Sequence, residues 1–426
     1  MKILIKGAKV VNNDDIFDAD ILINNGKIIK VEKSISGRAD KEIDACGKHV
    51  FPGFIDIHTH LRTPGREDEE DFLSGSKAAA HGGFTAVCCM PNTTPCVDNE
   101  GLIRWVIEES KKIGLIDIYP IGAITKNRKG EELSEYGAMA KAGCLALSDD
   151  GDSVENGSLL RKALEYAKMF NLLIISHCED KSLSAGGFIR ESFISSKYGM
   201  RPVSDISESA IVYRDIALAR YVDARLHLAH ISSKKSIEII SEAKKTFSKL
   251  SCETAPHYFT LTVEDIEKSK FHGNFRVNPP LGEKHDLEAI RKALKEGTID
   301  CIATDHAPHS TAEKELPFEQ APPGLIGLET AFSLTYTHLV ENGIMDLKNI
   351  AEKLSFNPAR ILGLKERGRV EEGALADITI VDLEKEWVVE TKKLFSKSNN
   401  TPFMGKRLKG TVEYTIHRGR IVYKNV

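Results

Sequence analysis

The hydrophobic pattern changes period twice along the chain. From residue 2 to about 50 it alternates, in ILIKGAKVV and then DILINNGKIIKVEK, where Asn25-Gly26 is a hairpin turn signal, with a short strand around Glu42 to Val50. Between Phe51 and about Leu364 short apolar runs take turns with amphipathic stretches such as Gly157 to Phe170 and Ser204 to Val222, which have the length of crossover helices. The apolar runs read as eight strands at 51–57, 84–90, 115–121, 144–148, 172–176, 225–229, 249–255 and 300–304. Strands alternating with helices in this way predict a parallel (β/α)8 barrel. After Leu364 the strand period returns in GRVEEGALADITIVDL and KGTVEYTIHRGRIVYKNV. The expected fold is therefore α/β: a TIM-like barrel over 51–364, with a small β-sandwich built from 1–50 and 365–426.

A barrel of this kind gathers its chemistry at the C-terminal ends of its strands. His58 and His60 follow the first strand, and on an extended segment residues i and i+2 project to the same side. Asn92 follows the second strand, Ser148-Asp149-Asp150-Gly151 closes the fourth, His177 the fifth, His230 the sixth, and Asp305, His306 and His309 the eighth. Singly, a strand-end histidine is most often a hydrogen-bonded structural residue, and an Asp before Gly a turn or helix cap. Their recurrence at independent strand ends points to one shared rim. Imidazole and carboxylate suit Zn2+, and a carboxylate after strand four, Asp150 or Asp149, is placed to bridge two ions ~3.5–4 Å apart. Such a centre activates water for hydrolysis of an amide-like bond. Arg62, two residues beyond His60, can pair bidentately with a substrate carboxylate.

Composition narrows the partners. Hydrophobic residues at 41% and charged residues at 28% support a large core and exclude disorder, while a net charge of -4 argues against a nucleic-acid surface. A small-molecule substrate is the better expectation. The N-terminal MKILIKGAKV lacks the apolar core of a secretory signal, and no apolar run approaches the ~20 residues that span a bilayer, so a cytoplasmic protein without membrane contact is expected. Eight scattered cysteines without a CxxC pair read as reduced.

HTHLRTPG at His58, GGFT at Gly82, MPNT at Met90, SDDG at Ser148, DHAPH at Asp305 and ADITIVDL at Ala376 together resemble the type I dihydroorotases of the amidohydrolase superfamily, over essentially the whole chain. The resemblance implies zinc-dependent, reversible cyclisation of N-carbamoyl-L-aspartate to dihydroorotate in de novo pyrimidine (UMP) biosynthesis. It implies one or two zinc ions per subunit, two being favoured: His58, His60 and Asp305 on one, His177 and His230 on the second, Asp150 bridging, with Asp149 the alternative bridge. Asp305 would be the catalytic proton carrier, and His60, Arg62, Asn92, Asn278, His309 and the backbone at Pro323-Gly324 would meet the substrate. A homodimer and association with aspartate transcarbamoylase also follow from the resemblance. Related hydantoinases and allantoinases typically bridge their metals with a carbamylated lysine after strand four, and 144–151 contains none. A hydantoinase- or allantoinase-like cyclic amidohydrolase is one alternative. A non-catalytic scaffold subunit is another, although such scaffolds usually lack ligands and all six positions are filled here. Thr63 stands where the family commonly has Glu. His81, His227, His257, His272 and His285 match no ligand position and read as structural. The polar, proline-bearing stretch 310–326 reads as a loop over the rim, placed to close on substrate.

Overall fold

The computed structural model describes residues 2–425. The alternating N-terminal segment forms β1 (Lys2–Val11), β2 (Ile16–Asn24), β3 (Lys27–Glu32), β4 (Lys41–Asp44) and β5 (His49–Pro52). Asn25 and Gly26, both at positive φ (49° and 79°), turn β2 into β3. The barrel strands follow as β6 (Phe54–Thr59), β7 (Phe84–Cys89), β8 (Asp117–Pro120), β9 (Ala146–Ser148) and β10 (Leu173–Ser176). A two-stranded ribbon, β11 (Ile189–Arg190) with β12 (Pro202–Val203), precedes β13 (Leu226–Leu228), β14 (Leu250–Thr254) and β15 (Cys301–Ile302). All eight barrel strands read from the sequence are present, paired in parallel as one arc β6-β7-β8 and another β9-β10-β13-β14-β15. Parallel bridges Gly122–Leu147 and Thr59–His306 join the arcs and close the ring.

Because the strands are covered by helices outside and by one another's side chains inside, they read as continuous apolar runs. Ile55, Ile57, Cys88, Ile175 and Ala303 fill the interior in one buried cluster. The chain ends in β16 (Ile378–Val388), β17 (Arg407–His417) and β18 (Arg420–Lys424), and these join β5, β1, β2 and β3 in one sheet, with β4 alongside β1. Both termini thus build the small sandwich, over a core that includes Ile3, Ile21, Val50 and Ile378.

Two elements differ from expectation. The strand expected over 51–57 is broken at Gly53: Phe51 pairs with Thr379 of β16, whereas Phe54 pairs with Phe84 of β7. A Cβ at Gly53 would lie 2.4 Å from the Thr85 side chain, so glycine lets the chain step from one sheet into the other. The strand expected around 42–50 is likewise two, β4 and β5, separated by a turn in which Lys48 N–H donates to Ala45 O (2.9 Å). One long connection carries the sandwich onto the barrel. Residues 389–406, between β16 and β17, leave the sandwich and lie against the barrel rim, where Ser398 Oγ donates to Glu69 O (2.8 Å) and Ile326 N–H to Asn400 O (3.0 Å).

Candidate active site

The residues chosen from the strand ends converge. His58 Nδ1 is 2.7 Å from Glu253 Oε1, which turns Nε2 toward Asp150 Oδ1 (3.3 Å) and Asp305 Oδ1 (3.6 Å). His60 Nδ1 meets Asn92 Oδ1 at 2.9 Å, leaving Nε2 beside Asp305 Oδ1 (3.1 Å) and Asp150 Oδ2 (3.4 Å). His177 Nε2 faces Glu179 Oε2 (3.2 Å), and its Nδ1 faces His230 Nε2 (2.8 Å) and Asp150 Oδ1 (3.6 Å). His230 Nε2 is also 3.5 Å from Asp150 Oδ1. Asp150 therefore presents one oxygen to His58, His177 and His230 and the other to His60. Asp149 turns away and accepts from the backbone N–H (3.0 Å) and Oγ1 (2.5 Å) of Thr125.

Electrostatics separate these neighbouring carboxylates. Burial would raise Asp150, but the surrounding His58, His177 and His230 hold it well below the usual carboxylate range. Burial pushes Asp149 up to about 6, only partly offset by the Thr125 hydrogen bonds. Burial opposes charge on His58 and His177 as well, yet Asp150 and Glu253 raise His58, and Asp150 and Glu179 bring His177 to about 9. Burial likewise works against an anionic Asp305, but His60 and His58 keep it low. Three residues of the site, Arg62, His230 and Asp305, have left-handed backbones with φ of 57°, 34° and 48°, a concentration of strain of the kind found where a site's geometry is imposed by its surroundings.

The donor set fits a metal. His58 Nε2 and Asp150 Oδ1 are buried without a hydrogen-bond partner, a costly state that a cation between them relieves. The ligand atoms of His58, His60 and Asp305, and those of His58, Asp150 and His230, lie within 4.8 Å of one another. The rings of His58, His60 and His177 are oriented from behind by Glu253, Asn92 and Glu179, as in metal centres generally, whereas His230 Nδ1 is buried without a hydrogen-bond partner.

Apart from His58 and the alternative bridge Asp149, every residue assigned to metal or substrate borders one cavity of about 250 Å³. That is smaller than the ~300–1,000 Å³ typical of drug-sized ligands and suits a single small ring. Arg62 Nε donates to Pro308 O (3.0 Å) and lies 3.2 Å from Glu69 Oε2, with its NH2 3.1 Å from His309 Nε2. His309 Nδ1 is 2.9 Å from Glu69 Oε1, and its Nε2 is 2.9 Å from Pro323 O. Asn278 Nδ2 donates to Glu179 Oε2 (2.9 Å). A larger cavity of about 450 Å³ lies at the seam of barrel and sandwich, bordered by His81, Trp387 and Tyr423, but it contains none of the strand-end residues. Chemistry rather than size identifies the site.

Glu253, Glu179 and Glu69 were missed as orienting residues. A glutamate inside the buried strand LSCET was a signal, and Glu179 shares the i, i+2 relation with His177; Glu69 is masked within the charged run Arg66 to Asp71. His227 acts structurally, holding Glu253 Oε2 at 3.2 Å. His257 is buried with neither ring nitrogen partnered, and burial pushes it down to about 4, so its ring is neutral.

Residues 47–236 match a family model described as dihydro-orotase-like, and 260–423 match that of an amidohydrolase family. A dihydroorotase of Elusimicrobium minutum is 48% identical over 427 residues, covering 100% of this chain and 98% of the relative. One from Geobacter metallireducens is 45% identical, covering 100% of both. Among solved structures, L-hydantoinase (dihydropyrimidinase) from Arthrobacter aurescens superposes with a TM-score of 0.88 at 25% identity, covering 99% of this chain and 96% of that one. Dihydropyrimidinase from Brevibacillus agri gives 0.86 at 26% identity, covering 100% and 95%.

Proposed function

The chain belongs to the dihydroorotase family of amidohydrolases, and from that premise we propose that it catalyses the reversible cyclisation of N-carbamoyl-L-aspartate to (S)-dihydroorotate in pyrimidine biosynthesis. The observation that carries this reading over a hydantoinase-like one is Asp150. The strand-four position that a carbamylated lysine would need is filled by a carboxylate ringed by His58, His60, His177 and His230. The solved hydantoinases share the fold, and a shared fold does not fix the substrate.

In this reading His58, His60 and Asp305 would hold one zinc ion and His177 with His230 a second, and Asp150, which faces all four imidazoles, would serve as a ligand to both. When bound, zinc polarises the ring carbonyl and acidifies water near neutral pH. Asp305, on the rim beside His60, takes a proton from the attacking water and delivers it to the departing ring nitrogen; in the cyclising direction it removes the proton from the carbamoyl nitrogen. Arg62, Asn92 and His309 receive the carboxylate beside the ring nitrogen. Asn278 and the backbone at Pro323-Gly324 border the ring itself. Closure converts two carboxylates into one and consumes a proton, so acid favours the ring and alkali the open chain.

The same proposal assigns the barrel, 51–364, every group that meets metal or substrate, and gives 1–50 with 365–426 a framing role. A cytoplasmic location rests on the family resemblance; among the described residues no helix is long and apolar enough to cross a membrane. A homodimer and association with aspartate transcarbamoylase rest on the family resemblance. The test is a panel of rings offered to zinc-loaded protein: dihydroorotate, hydantoin, dihydrouracil and allantoin, with N-carbamoyl-L-aspartate for the reverse direction. The carboxylate-bearing pair should be favoured by ~100-fold or more in kcat/KM, because a pocket built around a charged group is left unpaired by a ligand lacking it. A preference for hydantoin or allantoin overturns the assignment.

A further inference from the structure

We propose that Asn400, supplied by the sandwich's 389–406 connection rather than by the barrel, is a positioning residue for the substrate's carboxylate, acting through the backbones of His309 and Pro323-Gly324. The inference rests on the dihydroorotase reading. Asn400 is only 1% exposed. Its Oδ1 accepts from His309 N–H (3.1 Å), and its Nδ2 donates to Ala307 O (3.0 Å) and Gly324 O (3.2 Å). Its own carbonyl accepts from Ile326 N–H. One side chain thus ties together two walls of the cavity, the strand-eight exit on one side and the 310–326 loop on the other.

Those walls have little freedom elsewhere. Gly324 has φ of +135°, and a Cβ there would lie 2.6 Å from Ala307 Cβ and 3.2 Å from His309 Nε2, so the loop rests directly on the strand-eight segment. Gly324 O also accepts from Lys314 Nζ (2.8 Å), a buried amino group that reaches Pro322 O (2.8 Å) as well. Pro323 O and Arg62 NH2 both converge on His309 Nε2, at 2.9 and 3.1 Å. A displacement of this backbone therefore moves the carboxylate-binding groups together. Asn400 hydrogen-bonds to no proposed metal ligand, which separates its effect from metal binding.

The experiment compares wild type with Asn400→Ala and Asn400→Asp, the latter retaining an acceptor for His309 N–H while losing both donated bonds. Zinc content, thermal unfolding and steady-state kinetics with dihydroorotate are read on each. The expected result is a KM raised ~10-fold or more with kcat within ~3-fold and zinc retained, since a misplacement of ~1 Å can cost up to ~10²-fold. An unchanged KM in folded, zinc-replete variants overturns the role, and so does failure of both variants to fold, which would assign Asn400 to the scaffold alone. If wild type itself turns over no dihydroorotate, the functional reading fails instead.

Discussion

Asp149 and Asp150 are adjacent and chemically identical, yet their surroundings give them opposite tasks. Asp150 stays anionic among imidazoles, whereas Asp149 is tied to Thr125 and has its pKa raised by burial. Asp150→Asn should therefore lose bound zinc and turnover together, while Asp149→Asn should keep its zinc and lose about 1–3 kcal/mol of stability through its weakened bonds to Thr125. Elemental analysis and urea unfolding of the two variants check this; zinc retained in Asp150→Asn and lost in Asp149→Asn would exchange the roles. The strand pattern puts both carboxylates at the strand end and the family resemblance favours Asp150, but which one turns inward depends on a Thr125 N–H that lies 24 residues away. His58 and His60 were legible because their spacing encodes a common side on an extended chain. Glu69 was not, because a charged run has the same composition whether solvated or folded against Arg62 and His309.

At the level of elements, each barrel strand was legible as a short apolar run, and the break at Gly53 was not. FPGFIDI is apolar throughout, so period alone does not show that Phe51 and Phe54 belong to different sheets. The two sheets are also joined by charge. Asp117 on β8 accepts from Arg418 NH2 (2.8 Å) and meets Arg367, which itself holds Asp377 Oδ2 at 2.8 Å. Burial opposes the Asp117 charge, but His417, Arg367 and Arg418 outweigh it and hold the carboxyl well below its ordinary value of 3.8. A depressed folded-state pKa contributes stability that is full above about pH 4 and is lost as pH falls toward the folded value. Asp117→Asn should thus be less stable than wild type by about 2 kcal/mol at pH 7, with the gap narrowing below pH ~4. Urea midpoints at pH 7 and pH 3 measure it, and a gap that does not shrink in acid contradicts the linkage.

For the whole molecule, the barrel with a sandwich of both termini was legible because the change from strand period to strand–helix alternation and back marks it. What the pattern did not contain is contact across the sequence. The strand period gives no reading of residues 389–406, and it is the packing of Ser398 against Glu69 and of Asn400 against His309 and Gly324 that brings the sandwich to the rim. The family match and the strand-end cluster point to the same chemistry from independent directions. The most direct measurement strips the protein of metal, restores zinc stepwise, and follows cyclisation of N-carbamoyl-L-aspartate at mildly acidic pH and ring opening at alkaline pH. The account predicts no turnover without metal, recovery in both directions as zinc is restored, and an equilibrium that shifts about tenfold per pH unit toward the open chain as pH rises. Zinc-replete protein that fails to close the ring at mildly acidic pH, with or without aspartate transcarbamoylase, would contradict it.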